Sequence, residues 1–315
     1  MYILILTKIG YGSEEKIIMT SSKKLVLIIT LFLILLIIFT NTLILYSSPN
    51  SSENSGEIER AIHTSTSILE GVKQCYSEGV SLLIVESGNY NIIQEYLAYY
   101  GNDYFENYID YWGEDPFARG IWLENIEIRF SPGAKVSCHY TGNNENVIFY
   151  FSAFAAGNNV IIDGLVLDTS NIRYSIHPDF NTGKELSTMI LRNCELQHFK
   201  SETNQQAVGA GLGHHVDWKF ENCIFYSDYQ VPVVRIHNNG NDNVQSKVTF
   251  TDCYIEGPGY FLFNAYGPSI HESLFIVTGC SYTNKPIVSM ESLNADTTNP
   301  DNVILLEYNN ELREE

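Results

Sequence analysis

Two histidines and an arginine recur in short β-like segments of the chain. His177 ends the segment Tyr-Ser-Ile-His, and Arg235 and His237 lie in the later segment Val-Arg-Ile-His. Histidine titrates near neutrality and acts as a general acid or base. Arginine binds a carboxylate through two parallel hydrogen bonds. Together these residue types suit proton abstraction next to a uronate carboxylate, or recognition of an acidic sugar.

A glycine-rich segment, Val-Gly-Ala-Gly, lies between those two segments and contains Gly209 and Gly211. If the three segments stack as neighbouring strands, His177 and His237 lie two strands apart, roughly 10 Å. The sequence then predicts a shallow slot with a glycine floor, walled by His177 on one side and by Arg235 and His237 on the other. Further groups expected at its rim are Arg173, Asp179, His214 and Asn264.

A repeat containing cysteine sets the positions of these segments. Cys194, Cys223, Cys253 and Cys280 lie 29, 30 and 27 residues apart, and Gly164 occupies the same place 30 residues earlier. A period of 20 to 50 residues is typical of one supersecondary unit stacked on itself. Each copy alternates apolar and polar residues and is bounded by Gly, Asn or Asp, which predicts strands. The sequence therefore predicts an all-β fold, a parallel β-solenoid.

Aligning the coils on the cysteines places a second strand of each coil in register. Side chains alternate between the two faces of a strand. The alignment predicts that Ile176, Ala210, Ile236, Phe263 and Met290 point into the core. The outward column then includes Ser175, the candidate slot residues and Glu291.

The cysteines themselves are expected to pack in the core, because small apolar thiols stack well inside a solenoid. Disulfides between stacked neighbours are possible by distance, but the side chains of parallel neighbours are poorly directed for them. His214 and His215 are adjacent on a strand and face opposite ways, so joint metal ligation is not expected. The sequence identifies no cofactor.

The charge balance limits the possible partners. The chain has 37 acidic and 18 basic residues, a net charge of −19. Binding to nucleic acid requires a basic face, so a nucleic-acid partner is not expected. Anionic lipid surfaces are also disfavoured, whereas neutral or cationic partners are compatible.

The N-terminal segments have a different composition from the repeats. Residues 25–46 carry no charge and are long enough to span a bilayer as a helix. Lysines precede this run, and none follows it closely, which predicts a cytoplasmic tail over 1–24, an anchor over 25–46, a linker over 47–57 and an extracellular domain over 58–315. A cleaved signal peptide is the alternative.

Apolar residues recur at helical spacing from Glu57 to Gly79 and predict a helix that caps the solenoid. Strand-like runs follow at 121–130, 136–140, 147–154, 160–167 and 302–308. The tyrosine-rich stretch 94–112 interrupts them. Its aromatic rings are expected to cover the first coils, and a stacking platform for sugars is the alternative.

A helix followed by Val-Ser-Leu-Leu-Ile-Val-Glu-Ser-Gly-Asn-Tyr (80–90), with later Asn-Cys-x-Phe repeats, resembles the pectin lyase-like superfamily. Gly88 and Tyr90 match the superfamily's opening pattern, whereas Glu86-Ser87 departs from its proline. The resemblance implies a right-handed parallel β-helix over about 60–308. Its members include polysaccharide lyases, hydrolases, esterases and non-catalytic adhesins, so the fold alone does not select an activity.

The sharper signatures of that superfamily, the paired aspartates of polygalacturonases and the calcium cluster of pectate lyases, are absent from the sequence. We expect a membrane-anchored protein that acts on a polysaccharide or cell-surface glycan. In one hypothesis it cleaves a uronate polymer by β-elimination, with His177 or His237 as the base and Arg235 or Arg173 binding the carboxylate. The alternatives are a non-catalytic glycan-binding or structural protein, and a glycoside hydrolase using Asp179 and Glu291.

Overall fold

The fold is known from a computed structural model. The structure describes residues 60–108, 115–178, 186–198, 210–212, 216–227, 232–237, 247–257, 260–266, 273–283, 288–289 and 303–313. The predicted segments 1–24, 25–46 and 47–57 lie outside these ranges. Among the residues described, no helix has both the length and the apolar character needed to cross a bilayer.

The strands of the described ranges form three sheets, and every neighbouring pair in them is parallel. Sheet A contains β1 (Ile62–Thr64), β2 (Leu82–Val85), β5 (Ile126–Phe130), β8 (Val160–Asp163), β11 (Ser187–Arg192), β14 (Val216–Glu221), β17 (Lys247–Thr251), β20 (Ser273–Thr278) and β23 (Val303–Tyr308). Sheet B contains β3 (Gly88–Asn91), β6 (Ala134–His139), β9 (Val166–Ser170), β12 (Glu195–His198), β15 (Ile224–Ser227), β18 (Tyr254–Glu256), β21 (Ser281–Tyr282) and β24 (Glu311–Leu312). Sheet C contains β4 (Ile121–Leu123), β7 (Ser152–Ala156), β10 (Tyr174–Pro178), β13 (Ala210–Leu212), β16 (Pro232–His237), β19 (Tyr260–Tyr266) and β22 (Val288–Ser289).

The chain visits sheets A, B and C in turn and then returns to A one strand further along. This order, with parallel pairing throughout, is that of a parallel β-solenoid. The prediction of an all-β solenoid from the cysteine period is therefore confirmed.

The core lies between the sheets and is built by alternation along each strand. In β14, Val216, Trp218 and Phe220 are buried, while the residues between them reach the surface. Phe220 stacks on Phe250 of β17 with ring centroids 4.7 Å apart. Trp218 satisfies its indole N–H by donating to the Ser187 hydroxyl at 3.2 Å. Identical alternation in successive coils thus produces columns of stacked apolar side chains.

The turn from sheet A to sheet B keeps one geometry from β8 onward. Its first residue has a positive φ, which only Gly, Asn and Asp adopt at low cost. These residues are Gly164, Asn193, Asn222, Asp252, Gly279 and Asn309. Asn222 Nδ2 donates to Asn193 Oδ1 at 2.9 Å, and Asn193 Nδ2 donates to Asp163 Oδ1 at 2.8 Å. Backbone bonds also cross these turns, as from Asn193 N to Glu221 O at 3.0 Å, so the hydrogen-bond ladder continues around the corner.

Four cysteines, Cys194, Cys223, Cys253 and Cys280, follow left-handed residues of the corner and point into the core. All six cysteines of the chain are buried free thiols. Cys223 Sγ donates to Glu221 O at 3.4 Å, and Cys253 Sγ donates in the same way to Thr251 O at 3.4 Å. Burial raises the pKa of the Cys194 and Cys253 thiols well above the ordinary value. Hydrogen bonds with neighbouring thiols lower the pKa of Cys223 and Cys280. Their complete burial is that of packing residues.

The N-terminal helix is shorter than predicted. Helix α1 (Ile68–Glu78) begins at Ser67, whose side chain accepts from Glu70 N, and ends at Gly79. Residues Ile62–Thr64, which the periodicity had assigned to the helix, form β1 and pair with β2. Ile62 and Thr64 are β-branched, which favours a strand next to a parallel neighbour. The helix packs against β1, β2 and β4.

The tyrosine-rich stretch forms α2 (Ile92–Tyr100) and an adjoining turn. Tyr96 is fully buried, and its ring meets that of Phe151 at 5.0 Å. Tyr100 and Tyr104 stack at 4.8 Å. In the described part of the stretch, the rings therefore pack over the first coils, as the sequence favoured. A short 3-10 helix (Pro116–Arg119) leads from this region into β4.

One strand prediction was wrong. The run 147–154 contains the end of helix α3 (Glu145–Tyr150), and the strand β7 begins only at Ser152. Asn144 starts the helix by accepting from Asn146 N at 3.0 Å. This N-terminal cap outweighs the β-favouring Val-Ile-Phe-Tyr sequence that follows it.

Candidate functional site

The predicted slot lies on sheet C, and the backbone register brings part of it together. Ile176 of β10 is level with Ala210 of β13, so the next residue, His177, is level with Gly211. Gly211 is in turn level with Arg235 of β16. His177, Gly211 and Arg235 thus occupy one row across three neighbouring strands, about 10 Å from end to end.

The rest of the predicted row is not in register. Ala210 pairs with Val234, two residues before the Ile236 that the alignment had chosen. Asn264 pairs with Ile236, and an irregularity then places His237 beside Tyr266. The connections between sheets B and C, such as 171–173 and 199–209, differ in length, so a fixed period could not give the register of sheet C. The predicted alignment of Ile236 and Phe263 with Ala210 was wrong.

His177 does not form an exposed wall. Its side chain is 7% exposed, and its ring lies parallel to that of Tyr174, with centroids 5.2 Å apart. Ser175, also predicted to face outward, is fully buried, and its hydroxyl lies 3.1 Å from the Thr169 hydroxyl. The Ser175 and His177 side chains of β10 are therefore covered, which the simple alternation of inward and outward positions did not predict.

Among the rim candidates, Arg173 is half-buried, and its guanidinium carbon lies 5.1 Å from the centre of the Tyr174 ring. Asp179, Gly209 and His214 lie outside the described residues, as do Met290 and Glu291. For Arg235, His237 and Asn264 the structure describes the backbone only. Their position relative to the slot is therefore known from the strand register alone.

A second group of polar side chains lies on the outer face of sheet B. His139 Nδ1 is 2.7 Å from Ser170 Oγ, and His139 Nε2 is 3.1 Å from Asp168 Oδ2. His139 is the last residue of β6, and Ser170 is opposite it on β9. The His139 and Asp168 side chains are 34% and 36% exposed. The structure therefore assembles a serine, a histidine and an aspartate in one hydrogen-bonded chain at the surface.

Sequence reasoning missed this chain, although part of its signal is present. Asp168 and Ser170 are two residues apart in a strand, so they share a face. His139 lies on the previous coil, before the cysteine repeat begins, and the repeat therefore gave no register for it. Only the pairing of β6 with β9 shows that the three side chains meet.

Among the described residues, two of the open pockets lie near the N-terminal end of the solenoid. The larger, about 790 Å³, is lined by tyrosine and asparagine side chains with one carboxylate, namely Tyr108, Tyr140, Asn107, Asn143, Asn146 and Glu106. The Asn144 amide fixes this wall by donating to the carbonyls of Phe105 at 3.0 Å and Tyr108 at 3.1 Å.

The smaller pocket, about 420 Å³, lies where α1 meets α2. Its wall includes Glu95, whose Oε2 accepts from Ser67 Oγ and from Leu69 N, both at 2.9 Å. Burial raises the pKa of this carboxyl, although the two hydrogen bonds lower it in part. Glu95 thus lies on α2 and caps the first turn of the neighbouring helix α1.

Metal ligands are not gathered anywhere in the described ranges: no group of three or more His, Cys, Asp or Glu residues is placed to hold an ion. No known protein family and no curated protein matches the sequence.

Proposed function

We propose that this chain is a cell-surface protein that binds polysaccharide through the pocket beside Tyr108 and Tyr140. The observation that carries the proposal is the composition of that pocket, which combines two tyrosines with several asparagine amides. Both tyrosine rings are buried and form the apolar back of the pocket. The asparagine amides can both donate and accept hydrogen bonds. Its volume, about 790 Å³, is within the range of small-ligand pockets.

The charge of the pocket favours a neutral or amino sugar over a uronate. Among the described residues that line it, Glu106 is acidic and none is basic. The whole chain has a net charge of −19. An anionic polymer would therefore meet repulsion at this surface, whereas a neutral or cationic sugar would not.

We also propose that the solenoid is a right-handed β-helix of the pectin lyase-like superfamily. In this proposal residues 25–46 hold the protein in the membrane, and the solenoid lies outside the cell. The support for it is the uncharged run in the sequence, with lysines on its N-terminal side only.

A glycan array tests the binding proposal, using the full chain in detergent. We expect binding to neutral or amino-sugar polymers, and a loss of affinity of about tenfold or more in the triple variant Asn107→Ala/Asn143→Ala/Asn146→Ala, because each lost hydrogen bond contributes about 1 kcal/mol. The control is Gln74→Ala on the exposed face of α1. Absence of glycan binding, or equal binding by the triple variant, would refute the proposal.

β-elimination at sheet C is the second candidate, favoured by the row of His177, Gly211 and Arg235. In this mechanism a histidine removes the proton next to a uronate carboxylate, and arginine neutralises the carboxylate. A uronate polymer incubated with the protein would then gain ultraviolet absorbance from an unsaturated product. His177→Ala and Arg235→Ala should each abolish that gain. The lack of any product from a panel of uronate polymers would rule this candidate out.

A further inference from the structure

We propose that Ser170, His139 and Asp168 form a catalytic site that hydrolyses small acyl esters. The site is separate from the pocket and from the sheet C row. It stands on the two hydrogen bonds of one imidazole, 2.7 Å to the Ser170 hydroxyl and 3.1 Å to the Asp168 carboxylate. Nucleophile, base and a third group that orients the base are the elements of serine hydrolysis.

The hydrogen-bond chain determines which nitrogen acts as the base. The Asp168 carboxylate only accepts hydrogen bonds when ionised, so the hydrogen of the neutral imidazole lies on Nε2. Nδ1 then carries the lone pair, and it faces the Ser170 hydroxyl at 2.7 Å. In this arrangement the serine donates to the nitrogen that must receive its proton. The carboxylate holds the ring in that tautomer and stabilises the imidazolium that forms.

The backbone fixes the nucleophile firmly. Ser170 is the last residue of β9, and its carbonyl accepts from Tyr140 N at 3.1 Å. The next residue, Asn171, has a φ of 52°, and its side chain donates to Tyr140 O at 3.1 Å. Ser170 therefore sits between a strand and a turn that is held from both sides. This rigidity keeps the hydroxyl opposite His139.

The reaction balances with water as the co-reactant. Ser170 Oγ attacks the ester carbonyl while its proton passes to His139 Nδ1. The bond from the carbonyl carbon to the alcohol oxygen breaks, and the imidazolium returns the proton to the departing alcohol. Water then gives a proton to Nδ1 and attacks the acyl-serine, which releases a carboxylic acid and restores the Ser170 hydroxyl.

The exposure of the site indicates the type of ester. His139 and Asp168 are each about one-third exposed on the outer face of a sheet. A large alcohol such as a polymer can lie along that face, with a short acyl group directed at Ser170. We therefore assign acetyl groups on a polysaccharide as the substrate class. This choice of polymer depends on the proposed function, whereas the esterase chemistry does not.

Covalent labelling of the full chain with a fluorophosphonate tests the site without any glycan. We expect one adduct, located by mass spectrometry on Ser170, and hydrolysis of p-nitrophenyl acetate above the rate in buffer. Ser170→Ala should remove the adduct. Ser170→Ala and His139→Gln should each lower the hydrolysis rate by about 100-fold or more, and Asp168→Asn by about tenfold or more.

Ser137→Ala is the matched control. Ser137 lies on the outer face of β6, two residues before His139, and its hydroxyl donates to Tyr90 O at 3.2 Å. It should leave labelling and hydrolysis unchanged. Melting curves identify any variant that fails to fold, and Ser170→Ala alters a single oxygen. An unlabelled Ser170 in the folded protein, or hydrolysis that persists in Ser170→Ala, would show that the three groups serve only to join two strands.

Discussion

The corner between sheets A and B and the strands of sheet C show opposite degrees of regularity. At the corner a left-handed residue is followed by a buried one in coil after coil, as in Asn193-Cys194 and Asn222-Cys223. On sheet C the register shifts beside His237, and the connections that lead into the strands differ in length. The corner is therefore the part of the coil that sets the stacking. The register of sheet C and the length of its connections vary, but the coils still stack.

This difference separates the structural and functional parts of the chain. The corner residues are tied to their neighbours by side-chain and backbone hydrogen bonds, so a change there must propagate along the stack. The side chains that could take part in catalysis or binding lie elsewhere, on the outer faces of sheets B and C and in the N-terminal pockets. Connections and outer faces are where folds of this type can acquire function at small cost to stability.

The largest effect is expected in the core column beside the corner. Trp218 is fully buried, and Trp218→Ala leaves a large cavity and removes the indole N–H bond to the Ser187 hydroxyl. We expect a loss of about 3–5 kcal/mol in the free energy of unfolding. Urea denaturation followed by circular dichroism measures it. Thr249→Ala, on the outer face of the same sheet, should change it by no more than about 0.5 kcal/mol. Equal effects of the two would mean that the alternation is wrong.

A smaller but more specific loss is expected at the corner itself. Gly164 has a φ of 74°, and an added Cβ would lie 2.9 Å from Phe130 O. Gly164→Ala should cost about 2–4 kcal/mol, since it combines left-handed strain with a backbone clash. Gly79→Ala is the control, because Gly79 has a φ of 65° with open space around it, and it should cost about 1 kcal/mol. If Gly79→Ala cost as much, close packing at the corner would be refuted.

The asparagine row is expected to contribute less. Asn222→Ala loses the bond to Asn193 Oδ1 and places alanine at a φ of 51°, so we expect a loss of about 1–2 kcal/mol. Asn222→Gly keeps the left-handed conformation accessible and loses only the side-chain bond. Its unfolding midpoint should therefore fall between those of the wild type and the alanine variant. If the glycine variant were less stable than the alanine variant, left-handed strain would not contribute to the loss in Asn222→Ala.

The smallest effect concerns the N-terminal end, which lacks the repeat. Burial raises the pKa of the Glu95 carboxyl above 4.5, so its protonated form is favoured in the folded state. The stability that this provides is present below pH 4.5 and is lost as the pH rises through the folded-state pKa. Glu95→Gln should then be more stable than the wild type at pH 7, by up to about 1 kcal/mol, and the difference should shrink toward pH 4. A pH-independent difference would contradict the assignment. Glu145→Gln, at an exposed carboxylate on α3, is the control.

The same contrast explains what could be predicted from the sequence. The corner was readable because its geometry demands Gly, Asn or Asp before a small buried residue, and those residue types recur visibly around Cys194 and Cys223. The register of sheet C was not readable, because Val234 and Ile236 are equally good inward residues and no turn fixes the choice between them. Burial of His177 depends on neighbours from other coils, which no single strand pattern contains. The chain of His139, Asp168 and Ser170 likewise arises only when two strands pair.

Distances along one outer column of sheet A provide the most direct test of the stacked coil. Spin labels would replace Ile161 together with Thr249, Ile276 or Leu306, which the register places three, four and five strands away. The buried native thiols should stay unlabelled in the folded protein. A stacked coil predicts backbone separations of about 14, 19 and 24 Å, an increase of about 4.8 Å per strand. Separations that fail to increase in this order, or that differ by more than the reach of the labels, would contradict it.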